Sequence, residues 1–247
     1  MAPNNFPAAI AKLLYKYATD KLLDQEEIVI YDPSMGFGGR LLGALSLRDR
    51  AIHYIGTDPN TENWIKELGI SRYEYMERTF KSHVRWGKPF KGTYICSGSE
   101  DVASNQEFKK YKGKLDFIFT SPPYFCAEIY SDEPTQSSIK YKDYESWRDN
   151  FLGATLKTCA EWLKPERMLA FNIADVNVGN PQYPLEEDTV RILKECGLEY
   201  KGKLKMVLSV APNMRINKAT GQPSTKNYCI VNGKWRKYEP IFLFYKT

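Results

Sequence analysis

Glu27-Ile28-Val29-Ile30-Tyr31-Asp32-Pro33-Ser34-Met35-Gly36-Phe37-Gly38-Gly39-Arg40 runs from an apolar strand into a glycine loop, and an apolar helix begins at Leu41. Strand, glycine loop and helix in that order open a nucleotide-binding βαβ unit. Gly36 and Gly38 let the backbone turn tightly and approach a ligand with no Cβ in the way, and Gly39 lets the helix pack close to the sheet. The loop has neither the G-x-G-x-x-G spacing of dinucleotide sites nor a Gly-Lys-Ser/Thr phosphate loop. Instead Asp32 stands at the strand end, which suits a ligand carrying a positive amino group.

Two further strands follow. Ile52 to Thr57 ends at Asp58, where such folds use an acid to accept hydrogen bonds from ribose hydroxyls. Thr93 to Cys96 runs into Ser97-Gly98-Ser99-Glu100-Asp101, whose acids could meet an adenine edge. Each acid alone is also an ordinary helix cap or solvated turn; their recurrence at successive strand ends favours a site.

Leu115 to Thr120 is a fourth apolar strand, stopped by Ser121-Pro122-Pro123-Tyr124-Phe125. Open α/β sheets bind ligands at the carboxyl ends of their strands. Proline lacks an N–H, so Pro122 and Pro123 can present carbonyls without competing donors. The Ser121 hydroxyl and the Pro122 carbonyl can together accept both hydrogens of an amino group, and Tyr124 offers a face on which a planar base stacks. Alone, Ser-Pro-Pro-Tyr is also a common turn; its place after the glycine loop gives it weight.

With its Asp32-Pro33-x-x-Gly36-x-Gly38 loop, Asp58 and Ser121-Pro122-Pro123-Tyr124, the chain over roughly residues 27 to 247 resembles the amino-group DNA methyltransferases in their γ-type motif order. The resemblance implies a class I, Rossmann-like α/β sheet, mostly parallel with an antiparallel last strand, and S-adenosylmethionine as cofactor. It places Asp32, Pro33, Met35, Gly36, Gly38, Gly39, Asp58, Glu100 and Asp101 around that cofactor. It places Ser121, Pro122, Pro123 and Tyr124 around a base flipped from duplex DNA. Ser at the first motif position is commonest in enzymes that make N4-methylcytosine, so cytosine is the expected base, with N6-adenine, an RNA base or a protein glutamine as alternatives. A non-catalytic nucleic-acid-binding module is the reading from a different class. The family's additional N-terminal cofactor motif has no convincing counterpart here, and restriction–modification is the implied setting.

The remaining chain is expected to supply one catalytic domain over residues 1–247: a helix across Phe6 to Leu23 packing through Ile10, Leu13, Leu14 and Tyr17, then helices Thr61–Leu68, Tyr144–Leu163 and Leu185–Cys196, and strands Met168–Ile173, Leu204–Val210 and Pro240–Tyr245. The irregular stretch from Cys126 to about Asp143 has the character of a lid over the site.

Net charge is only +5, yet residues 201–238 hold nine basic residues and no acid. A basic segment of this kind suits phosphate contacts, though a solvated hairpin would also carry it. Arg215, Lys218, Lys226, Arg236 and Lys237, with Phe125 beside the motif, are the expected nucleic-acid contacts, and double-stranded DNA the expected partner. A lesser basic patch comprises Lys81, Arg85, Lys88 and Lys91. Five scattered cysteines and two histidines argue against a disulfide framework, a metal centre or a Ser-His-Asp triad. Cys126 is badly placed for covalent attack on a pyrimidine ring. No apolar run reaches the roughly 20 residues that span a bilayer, and no signal pattern opens the chain, so a cytoplasmic protein of prokaryotic or phage origin is expected.

Overall fold

The computed structural model describes residues 5–84, 87–177, 182–208, 216, 217 and 219–247. Its main sheet contains β1 (Ile28–Asp32), β2 (Ile52–Asp58), β3 (Phe90–Cys96), β4 (Leu115–Thr120), β5 (Leu163–Asn172), β6 (Leu198–Val207), β7 (Tyr228–Val231) and β8 (Lys234–Lys246). The order across the sheet is β6-β8-β5-β4-β1-β2-β3, with β7 paired only to β8. Pairs among β1 to β5 are parallel, whereas β8 runs antiparallel to β5, β6 and β7. This is the mostly parallel sheet with an antiparallel closing strand that the motif order implies.

Continuous burial explains the strands at the centre. Every residue of β2 and β4 is buried, as a parallel strand covered on both faces requires. Side chains alternate between the faces: Phe117 and Phe119 pack beneath α1 (Ala8–Thr19) and α2 (Gly39–Leu45), with Tyr73 of α3 (Arg72–His83) in the same cluster. Ile118 and Tyr31 pack on the opposite face with Phe171, Phe242 and Phe244, below α4 (Ala154–Trp162) and α5 (Leu185–Glu195). The buried Asp116 within β4 is satisfied at the amino end of the sheet by the Val29 N–H at 2.9 Å and by Lys164 at 2.7 Å.

Three expectations need correction. The α1 stripe is rotated: Ala11, Leu14 and Tyr15 are buried, while Leu13 and Tyr17 are more than half exposed. Residues 61–68 do not form a helix; Asn60 caps a single turn at Thr61–Asn63, and Trp64–Ile65 pairs antiparallel with Ile70–Ser71. The helix follows instead at α3, where Ser71 Oγ accepts from the Glu74 N–H at 3.0 Å, a serine cap set three residues before a glutamate. Finally, Tyr144–Trp147 passes through a π-helical turn, Arg148–Gly153, into α4, which ends at Trp162 directly against β5. No helix among the described residues is long and apolar enough to cross a membrane.

Candidate active site

The carboxyl ends of β1 to β5 open into one cavity of about 1090 Å³. Pro33, Met35 and Gly36 line it after β1, Asp58 at the end of β2, Glu100 after β3, Ser121, Pro123 and Tyr124 after β4, and Asn172 at the end of β5. Asn5, Phe6 and Pro7 close a further wall, which the sequence reading did not anticipate. Asn5 Oδ1 accepts from the Gly39 N–H at 2.9 Å, capping α2 where orphan N–H groups need an acceptor.

Of the residues assigned to the cofactor, Asp32, Gly38, Gly39 and Asp101 do not line the cavity. Asp32 requires a correction of role. It is fully buried and accepts from Arg40 Nε at 2.8 Å, Tyr54 Oη at 2.7 Å, Thr120 Oγ1 at 3.0 Å and the Ser34 N–H at 3.1 Å. These donors occupy the carboxylate, so it anchors the loop rather than meeting a ligand's amino group. Gly38 has φ +79°, the left-handed region that favours glycine, and serves as the N-cap of α2.

Asp58 is 7% exposed and holds the loop from the other side. It accepts from the Gly36 N–H at 2.9 Å, the Asn60 N–H at 2.9 Å and Asn63 Nδ2 at 3.1 Å. Burial raises its pKa, and these hydrogen bonds partly offset that. Glu100 has a nearly buried side chain, with Oε1 on Lys140 at 2.9 Å and Oε2 buried without a hydrogen-bond partner among the described residues. Asp101 shares the same lysine at 2.6 Å.

The Cys126–Asp143 stretch folds across this end. Glu133 accepts from the Thr61 N–H at 3.1 Å and Thr61 Oγ1 at 2.7 Å, and Lys140 lies on a short helix, Ser137–Lys140. Tyr130 sets its ring 6.0 Å from that of Phe37 on the glycine loop.

At the motif end, Ser121 Oγ donates to Asn172 Oδ1 at 3.0 Å, and Tyr124 Oη donates to the same oxygen at 3.4 Å. Asn172 Nδ2 donates to the Pro240 carbonyl at 3.0 Å, which fixes the amide's orientation. Ser121 therefore turns its lone pairs outward as an acceptor. Pro122 is buried and Pro123 lines the cavity. Glu128 Oε2 accepts from the Tyr124 N–H at 3.3 Å and Tyr130 Oη at 3.1 Å. Glu239, beside Pro240 on β8, also lines this end. Asn172 and Glu239 carried no sequence signal: Asn172 ends β5 and Glu239 lies within β8, and only the sheet order reveals their neighbours.

The nucleic-acid assignments fare unevenly. Phe125 is corrected outright: it is 3% exposed, with its ring 5.1 Å from Tyr183, 5.6 Å from Trp147 and 5.7 Å from Tyr144, so it belongs to the core. Its φ of +47° turns it inward directly after the motif. Lys226 lines the cavity but forms an ion pair with Asp175. Lys237 is exposed at the cavity edge, and Arg236 is half-buried on the β7–β8 ribbon. Arg215 and Lys218 lie outside the described residues, as does Arg85 of the lesser patch.

No protein-family model matches the chain, and no curated protein matches it. Solved structures do. TrmN from Thermus thermophilus is 12% identical, with 99% of this chain and 50% of that one covered at a TM-score of 0.51. An S-adenosylmethionine-dependent methyltransferase from Methanosarcina mazei is 13% identical, with 93% and 97% covered at 0.50. The CurJ carbon methyltransferase is 15% identical, with 96% and 53% covered at 0.50. The chain thus spans about half the length of TrmN and of CurJ. At these identities the likeness is one of fold, and the fold of this chain is that of the class I methyltransferases.

Proposed function

We propose that this chain transfers a methyl group from S-adenosylmethionine to the exocyclic amino nitrogen of a base flipped out of duplex DNA, with N4 of cytosine the favoured acceptor. One observation carries the reading: the Ser121 proton is committed to Asn172, so the hydroxyl faces the cavity as a hydrogen-bond acceptor. An acceptor there takes an amino hydrogen and turns the nitrogen lone pair away from itself.

The cavity suits the cofactor. Its volume of about 1090 Å³ exceeds what one small ligand usually occupies and leaves room for a base beside it. Glu100, lining the cavity after the third strand, is proposed to meet the adenine edge of the cofactor. Asp58, which lines the cavity at the second strand end, is proposed to accept from ribose hydroxyls, and the acids lining the cavity favour a cationic ligand. When bound, S-adenosylmethionine supplies an electrophilic methyl on a positive sulfur.

The chain's own groups then act by position. Ser121 accepts one amino hydrogen, the Pro122 carbonyl is proposed to accept the other, and Tyr124 stacks on the ring, held by Glu128 and Asn172. Placing the nitrogen on line with the methyl supplies most of the acceleration. Basic side chains at the rim, Lys237 foremost, are proposed to contact phosphates, and the exposed charge favours nucleic acid over a protein glutamine.

The test is label transfer from methyl-tritiated S-adenosylmethionine to duplex DNA, with RNA and protein acceptors in parallel. Label in DNA supports the proposal; label only in RNA or protein reassigns the substrate; absence of cofactor binding favours a non-catalytic module.

A further inference from the structure

Among the described residues, six carboxylates line the cavity: Asp58, Glu62, Glu100, Glu128, Asp175 and Glu239. Four are otherwise engaged or distant from the motif. Asp58 is held by three N–H donors, Glu100 by Lys140 and Asp175 by Lys226, while Glu62 is exposed beyond the β2 end. Glu128 and Glu239 remain, and both converge on the motif. Glu128 holds the Tyr124 backbone, and Glu239 precedes the proline whose carbonyl anchors Asn172.

Amine methylation leaves a proton to be removed. Forming the N–C bond uses the amino lone pair, and the electrons of the broken S–C bond stay on sulfur, so the nitrogen becomes cationic and must lose one N–H proton. Ser121 cannot keep that proton, because its hydroxyl is already protonated and committed to Asn172.

Resting on the function proposed above, we propose that Glu128 and Glu239 act together as the acceptor of this proton and pass it to solvent. Burial raises the pKa of both groups, and the Glu128 carboxylate raises that of Glu239 further. The groups facing them set the balance: Tyr130 Oη and the Tyr124 N–H favour the Glu128 anion, and Lys237 and the Asn172 amide favour that of Glu239. A carboxylate whose pKa is raised is a stronger base than an ordinary surface carboxylate.

Two measurements test the pair. Carboxyl ¹³C NMR of glutamate-labelled protein should show Glu128 and Glu239 titrating in coupled steps, both raised above an ordinary glutamate. Glu239→Gln should bring the Glu128 step down. Single-turnover methylation should lose rate as pH falls through that step, and the Glu128→Gln/Glu239→Gln double variant should be slower by about 10²-fold or more with that acid limb gone. Cofactor affinity in the double variant should stay at the wild-type value. An active wild type whose double variant keeps both rate and pH profile would overturn the proton-acceptor role alone, as would ordinary, uncoupled titration of both groups. A wild type that methylates no amino group would overturn the underlying function and this role together.

Discussion

Ser121 Oγ and Asn172 Oδ1 lie 3.0 Å apart, joining the end of β4 to the end of β5 across the mouth of the cavity. A buried amide thereby decides which way the Ser121 hydroxyl points.

Asn172→Ala removes that acceptor and leaves the Pro240 carbonyl without its donor. Turnover should fall about 10²-fold through loss of positioning, and stability by about 1–3 kcal/mol through the unsatisfied buried groups. Cofactor affinity should hold. Steady-state kinetics, denaturant unfolding and calorimetric titration separate the three.

Arg40 and Asp32 form a buried ion pair, 5% and 0% exposed, that ties α2 to the end of β1. Arg40→Met strands a buried carboxylate, so unfolding free energy should drop by about 3–5 kcal/mol. Adding Asp32→Asn should restore part of that loss, which urea unfolding of the double-mutant cycle would detect.

Gly39→Ala would place a Cβ 2.1 Å from the Phe6 carbonyl oxygen and 2.3 Å from Asn5 Oδ1. Backbone cannot yield as a flexible side chain does, so the Asn5–Pro7 wall must shift. Stability should fall by about 1–3 kcal/mol, and affinity for S-adenosylmethionine should weaken by more than it does in Asn172→Ala. Thermal unfolding and calorimetry check both.

His53 is buried, with Nε2 2.9 Å from Thr93 Oγ1, and its pKa is lowered from 6.5 to about 4, first by burial and then by Lys91 and Lys110. The unfolded chain therefore binds a proton near pH 6.5 that the folded chain refuses until about pH 4. Stability should fall as pH drops through that window, and His53→Gln should flatten that part of the profile. Denaturant unfolding at stepped pH values measures it.

Much of the architecture was legible because β2 and β4 are buried throughout and β1 all but Val29, and such strands read as unbroken apolar runs. Strand ends bring Pro33, Met35, Gly36, Asp58, Ser121, Pro123 and Tyr124 to one cavity, which is why those positions were legible in the sequence. The helix α3 was missed because it buries only Tyr73 and Glu77, which leaves almost no apolar stripe; its signal was the Ser71–Glu74 cap. Asp32 was misassigned because sequence does not reveal that Arg40, Tyr54 and Thr120 converge on it. Phe125 was misassigned because its inward turn depends on a positive φ and on three rings from later in the chain. Asn172 and Glu239 needed the antiparallel return of β8 beside β5 to enter the site at all.

Mass spectrometry of nucleosides, after mixed-sequence duplex DNA is incubated with the protein and methyl-labelled S-adenosylmethionine and then digested, tests the account most directly. The predicted product is labelled N4-methylcytosine, strongly reduced in Ser121→Ala while that variant still binds the cofactor. Labelled N6-methyladenine would keep the chemistry and change the base. Cofactor binding with no methylated nucleoside from DNA would contradict the account.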